Sequence, residues 1–217
     1  MTTAKICGLN DAVTMSAALD GGASHVGLVF YEKSPRAVKA FDAAALCLLA
    51  RDRAIRVGLF VNPTDDFLDV ILDDVELDLI QLHGSESPDR VAKIASRTAK
   101  SVMKVIPVAE KKDVKNAESY FEVADWLLFD AKPPDTLEGA LPGGNALTFD
   151  WRLLGGKVWP LPWMLAGGLS IKNVADAIKI TRAPVVDTSS GTEDHPGLKN
   201  PHKIRGFLKE VENCKYF

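Results

Sequence analysis

Eight short apolar segments recur along the chain at intervals of roughly 25 residues, at residues 4–7, 25–30, 56–61, 77–82, 102–108, 126–130, 163–166 and 184–187. Each consecutive pair leaves room for one helix, and the reactive residue types collect just after the segments, where strands give way to loops. This rhythm predicts an α/β chain folded as a single (β/α)8 barrel over residues 1–217, with one active-site rim. Length alone also permits two domains of about 100 residues each, but the regular spacing favours one barrel. The segments are mostly continuous apolar runs, as in 57–61, rather than alternating ones. That suits parallel strands covered on both faces and argues against an antiparallel sandwich. A doubly wound open sheet is the competing architecture. It usually carries Gly-x-Gly-x-x-Gly after its first strand, and Cys7-Gly8-Leu9-Asn10 is not that turn.

Helix signals fill the gaps. Ser170 is expected to cap a helix bearing Ile171, Val174, Ala175 and Ile178, and Asn200-Pro201 to open another bearing Ile204, Phe207, Leu208 and Val211. Leu68, Ile71, Leu72 and Val75 form a similar stripe, as do Val91, Ile94 and Ala95 after Ser87-Pro88. One connection breaks the rhythm. Between Asp130 and a helix expected near Thr148 lie about 17 residues, far above the usual two to six. Pro133, Pro134, Pro142, Gly143 and Gly144 point to a shaped rim element or lid, with a disordered insertion as the alternative.

An apolar fraction of 47% is ample for a core, and a net charge of -3 with scattered basic residues gives no reason to expect nucleic acid as a partner. The longest apolar run, 43–50, is flanked by Asp42 and Arg51 and is far short of the roughly 20 residues that span a bilayer. No signal-peptide pattern precedes the first segment. Three widely separated cysteines, Cys7, Cys47 and Cys214, argue against a disulfide framework. A soluble, cytoplasmic protein without membrane partners is therefore expected.

Two loops carry phosphate chemistry. Ala166-Gly167-Gly168-Leu169-Ser170 follows the seventh segment and Asp187-Thr188-Ser189-Ser190-Gly191 the eighth, the two positions that recurrently build a phosphate site on this fold. Glycine lets the backbone approach closely, and amides at the start of a short helix point at an anion. Either motif alone is ordinary turn chemistry. Together, on these two strands, they mark a phosphorylated small molecule as the substrate class, with Gly167, Gly168, Ser189, Ser190 and Gly191 as candidate contacts.

Across the rim, Cys7 and Asp130 close segments one and six, a placement suited to an acid and a base working on two faces of one substrate. Each has a plain structural alternative: a buried filler for the cysteine, a backbone cap or a partner for Lys132 for the aspartate. Arg36, stiffened by Pro35, can offer a planar fork to a carboxylate, and His83 follows segment four. Their alternatives are a surface salt bridge and a hydrogen-bonded core histidine. His25, His195 and His202 show no comparable placement. No two histidines have metal-site spacing and no carboxylates cluster, so chemistry without a cofactor is expected.

These residues resemble a family, phosphoribosylanthranilate isomerase. The matching stretches are Lys5-Ile6-Cys7-Gly8-Leu9, Ser34-Pro35-Arg36, Val57-Gly58-Leu59-Phe60-Val61-Asn62, Gln81-Leu82-His83-Gly84, Leu127-Leu128-Phe129-Asp130-Ala131, Phe149-Asp150-Trp151, Leu165-Ala166-Gly167-Gly168-Leu169 and Val186-Asp187-Thr188-Ser189-Ser190-Gly191. They run the whole chain in family order. A related sugar-phosphate isomerase of histidine biosynthesis has a similar barrel and phosphate loops but carries aspartate where Cys7 stands. The resemblance implies an Amadori rearrangement in tryptophan biosynthesis, with Asp130 as general acid toward the furanose oxygen and Cys7 as general base at C2'. It also implies that Arg36 holds the anthranilate carboxylate, with His83 and Gly144 among the binding residues. Such roles ask that a thiol of reference pKa about 8.5 be drawn toward neutrality and that an aspartic acid of about 3.9 stay protonated. Two departures stand out: Asn145 and Ala146 replace a Thr/Ser-Gly pair after Gly143-Gly144, and Thr188 replaces valine. The alternatives are the histidine-pathway isomerase or a dual-substrate relative, and a non-catalytic barrel that binds a phosphoribosyl ligand. Both a monomer and a homodimer fit the pattern.

Overall fold

Every predicted segment becomes a strand in the computed structural model, which describes residues 1–134, 136 and 141–214. The strands are β1 (Thr3–Cys7), β2 (His25–Phe30), β3 (Ile55–Phe60), β4 (Leu79–Leu82), β5 (Ser101–Val108), β6 (Trp126–Ala131), β7 (Trp163–Leu165) and β8 (Val185–Thr188). All pair in parallel in chain order, and β8 returns to β1 to close the barrel. The open-sheet alternative is thereby excluded.

The continuous apolar runs follow from burial on both faces. Val57, Leu79, Met103, Val105, Leu128, Met164 and Val185 fill the interior, closed by Trp126. Their outward neighbours Ile6, Leu28, Phe60, Ile80, Val102, Leu127 and Phe129 pack against the surrounding helices. Each such side chain contributes about 1.5–3 kcal/mol by leaving water. Along β1, the two-residue period that sends Ile6 outward sends Lys5 and Cys7 inward. The polar ends of these inner rows, at Cys7, Gln81, Asp130 and Asp187, all reach the same cavity.

The helices are α1 (Ala12–Asp20), α2 (Ala40–Ala50), α3 (Asp65–Asp74), α4 (Pro88–Thr98), α5 (Lys111–Lys115), α6 (Val174–Thr181) and α7 (Pro201–Asn213). Asp11, Thr64, Ser87 and Asn200 cap four of them by accepting first-turn amides. Two expectations are corrected. The helix expected near Thr148 is only a 3-10 turn at Trp151–Leu153, because Gly155, Gly156, Pro160 and Pro162 follow at once and leave no run able to propagate. The helix expected from Ser170 begins at Val174. Asn173 spends its side chain on the preceding loop, accepting from the Ser170 amide at 2.8 Å and donating to the Gly168 carbonyl at 3.0 Å, and Ile171 is left outside the helix, 48% exposed. Beyond β8, a small antiparallel pair not foreseen from the sequence, β9 (Glu193–His195) and β10 (Leu198–Lys199), folds over the rim. It is too short and charged to carry a periodic signal.

Candidate active site

The β1, β6, β7 and β8 ends and the loops after β2 and β4 converge on one cavity at the barrel mouth. Cys7, Arg36, His83, Asp130, Gly144, Gly167, Gly168, Ser189 and Ser190 all line it. Gly191 does not. It lies behind the wall, where a Cβ would stand 2.0 Å from the Leu169 carbonyl oxygen, so glycine there lets the β7 and β8 loops close on each other. Thr188, the residue that departs from valine, strengthens the same junction by donating its hydroxyl to the Leu169 carbonyl at 2.7 Å. Gly167 and Gly168 both take positive φ, +93° and +59°, a path that other residues follow only under strain.

Cys7 ends β1, and its Sγ would meet a Cβ on Gly27 of β2 at 2.8 Å, so the glycine leaves room for the thiol. Cys7 is buried, 4% exposed. Burial pushes its pKa above the ordinary range; the ammonium of Lys5 opposes that shift and the Asp187 carboxylate adds to it. The thiol therefore does not meet the expectation of being drawn toward neutrality. Lys5 lies two residues back on the same face and donates to Asp187 Oδ1 at 3.0 Å. Burial works against the Lys5 charge, but Asp187 and Cys7 outweigh it and hold the ammonium above its usual range.

Asp130 is 7% exposed and directs Oδ2 to within 3.2 Å of His83 Nε2, although the contact is not aligned as a hydrogen bond. Gln81 Nε2 donates to His83 Nδ1 at 3.3 Å, which leaves the imidazole proton on Nε2, facing the carboxylate. His83 thus stands beside Asp130 on the cavity wall rather than in the core. The Ala131 amide donates to Asp130 Oδ1 at 2.8 Å, so the backbone-cap reading holds for one oxygen. Lys132 turns instead toward Asp113, 3.9 Å away.

Arg36 is not on the surface. It is 4% exposed, its Nε and Nη2 donate to Glu193 at 2.8 and 2.9 Å, and Nη2 also reaches the Gly144 carbonyl at 3.2 Å. Nothing local in the sequence singles out Glu193, because its partner is 157 residues away. Lys5 was legible in principle, since it shares the inward period of Cys7.

The loop after β6 returns to this cavity at residues 141–144; its middle, residues 135 and 137–140, lies outside the described residues. Asn145 brackets it, accepting from the Leu141 amide at 3.2 Å and donating to the Leu141 carbonyl at 2.7 Å. Ala146, at the position of the lost glycine, takes φ +56°. A left-handed alanine costs about 1–2 kcal/mol. Ala146→Gly is therefore expected to stabilise the protein by about 1 kcal/mol after the entropy of the more flexible unfolded chain is set against the relieved strain. Urea unfolding would show a higher midpoint at unchanged m; an unchanged or lower midpoint would mean that the loop carries no such strain.

Among the described residues no three His, Cys, Asp or Glu side chains group as a metal site, and no helix is long and apolar enough to cross a membrane.

Comparison with known proteins places the whole chain beside one family. The sequence model of the family described as N-(5'phosphoribosyl)anthranilate (PRA) isomerase matches residues 4–210. The N-(5'-phosphoribosyl)anthranilate isomerase of Paracoccus denitrificans is 52% identical over 204 residues, 94% of this chain and 94% of the relative. That of Paramagnetospirillum magneticum is 52% identical over 206 residues, with the same shares covered. The phosphoribosyl anthranilate isomerase of Thermotoga maritima superposes with a TM-score of 0.87 at 34% identity, covering 98% of this chain and 100% of that one. A phosphoribosyl anthranilate isomerase solved with reduced 1-(o-carboxyphenylamino)-1-deoxyribulose 5-phosphate gives 0.82 at 32% identity with the same coverage.

Proposed function

The chain belongs to the N-(5'-phosphoribosyl)anthranilate isomerase family and catalyses the Amadori rearrangement of that compound to 1-(2-carboxyphenylamino)-1-deoxyribulose 5-phosphate in tryptophan biosynthesis, and we propose that Asp130 and Cys7 are its general acid and base. The observation that carries this assignment is the single cavity shared by a thiol and a carboxyl, with glycine- and serine-rich loops on one wall and Arg36 on another.

In this reading the substrate phosphate sits on the backbone at Gly168 and Ser189-Ser190, and the anthranilate carboxylate meets Arg36. Asp130 gives its proton to the furanose ring oxygen. The bond from C1' to that oxygen breaks, and the anthranilate nitrogen shares its electrons to form an iminium. Cys7, as thiolate, takes the proton from C2', and the C–H electrons become the C1'–C2' double bond of an enolamine. Tautomerisation to the ketone then protonates C1'. The imidazole of His83, with Nε2 3.2 Å from Asp130 Oδ2, is placed to favour the carboxylate left after proton donation. Lys5 does the same for the thiolate of Cys7. Every group named comes from one chain, so a monomer and a homodimer are equally competent. Free Cys7, Cys47 and Cys214 support the cytoplasm as the compartment.

Purified protein given N-(5'-phosphoribosyl)anthranilate and, in parallel, the aminoaldose of the histidine pathway is expected to convert the first and leave the second. Turnover of both at similar kcat/KM would replace this reading with a dual-substrate enzyme, and binding without conversion would remove catalysis from it.

A further inference from the structure

Four donors surround the two oxygens of Glu193. Arg36 Nε and Lys199 Nζ both donate to Oε1 at 2.8 Å, while Arg36 Nη2 at 2.9 Å and the Gly197 amide at 3.3 Å donate to Oε2. The side chains of Arg36, Glu193 and Lys199 are 5%, 3% and 0% exposed. Burial disfavours the charge on Glu193, but the Arg36 hydrogen bonds and the charge of Lys199 outweigh it and hold its carboxyl below the ordinary range. Lys199 continues the chain of contacts to the Ser189 carbonyl at 2.8 Å, on the loop that ends β8.

This arrangement restricts what Arg36 can do. A guanidinium carries five N–H donors. Glu193 engages the edge formed by Nε and Nη2, and the Gly144 carbonyl takes a further Nη2 contact, so the donors of Nη1 are those left for a ligand. We propose that Glu193 is a positioning residue: it fixes which corner of Arg36 meets the aryl carboxylate of the substrate, and thereby sets the preference for a carboxylate-bearing ring. The inference rests on Arg36 as the carboxylate receptor.

Glu193→Gln presents an amide N–H₂ to neighbours that are all donors, so the guanidinium loses its register without a change of side-chain size. Two ligands separate the possibilities: the reduced product analogue and the same compound lacking the aryl carboxylate. Glu193→Gln is expected to weaken the first by about tenfold or more while moving the second by less than about twofold, with the loss in kcat/KM carried mainly by KM. Glu193→Asp, which keeps two acceptors, is expected to recover part of the discrimination. It carries the test if the glutamine variant does not fold. Equal weakening of both ligands would show that Glu193 only braces the β8 loop through Lys199, and no weakening of either would show that it does nothing for binding; both overturn the proposal. Arg36→Ala is measured alongside. If that variant still discriminates between the two ligands as the parent does, the assignment of Arg36 fails. If it loses discrimination and Glu193→Gln keeps it, only the role of Glu193 fails.

Discussion

Replacing Asp130 with asparagine is expected to lower kcat by about 100- to 10,000-fold, the span typical of a lost general acid. Asparagine preserves shape and keeps an oxygen for the Ala131 amide, so the β6 end has no reason to move. What it removes is the proton that the ring oxygen needs as its bond to C1' breaks, and without that proton the leaving oxygen departs as an alkoxide. The His83 proton then faces an amide instead of a carboxyl, so the effect extends to return of the proton after each turnover. Affinity for the reduced product analogue is expected to change little, because the phosphate loops and Arg36 are untouched. Single-turnover rates together with a binding titration separate the two quantities. A variant with kcat within about tenfold of the parent would take Asp130 out of the mechanism.

Cys7→Ala carries a loss of similar size with a different signature. Only the thiolate can take the C2' proton, and burial keeps the thiol pKa above its usual range despite Lys5 two residues away. The thiolate fraction below that pKa grows about tenfold per pH unit, so the ratio of parent to Cys7→Ala kcat/KM, in which the shared requirement for Asp130 cancels, is expected to climb as pH rises from about 7 to about 9. The residual rate of Cys7→Ala lacks the thiol and keeps every other titrating group, so its profile should be less steep than the parent's by the thiolate's share. Because the thiol adds neither charge nor a strong hydrogen bond, the alanine variant should still bind the product analogue. An unchanged pH slope in Cys7→Ala would assign the slope to another group and leave the base unidentified.

Much of this site was legible because barrel geometry converts position along the chain into position on the rim. Cys7, Asp130 and the glycine- and serine-rich loops after β7 and β8 are found by counting strands, since each strand end delivers its next residues to the same mouth. Boundaries were less secure where side chains choose between helix and loop: Asn173 binds the Gly168 carbonyl and delays α6, a choice invisible in the apolar stripe that Ile171 joins. The helix expected near Thr148 failed on local grounds, because glycines and prolines crowd the segment after Leu154. Gly191 was expected among the ligand contacts together with its motif neighbours, and no sequence signal showed that the backbone of another loop would press against it.

By itself the sequence determined the eight-strand rhythm, most of the helix starts and which candidate groups stand at the strand ends, because periodicity, capping and turn chemistry act over a few residues and are written in neighbours. Tertiary structure alone decided the electrostatics. The thiol of Cys7 is governed by its own burial, by Lys5 and by an Asp187 on the far end of the chain, and the reach of Arg36 is governed by Glu193. Charge interactions act through space and strengthen as water is excluded, so they take their values only once closing the barrel has brought β8 against β1 and folded the β9–β10 hairpin over the rim.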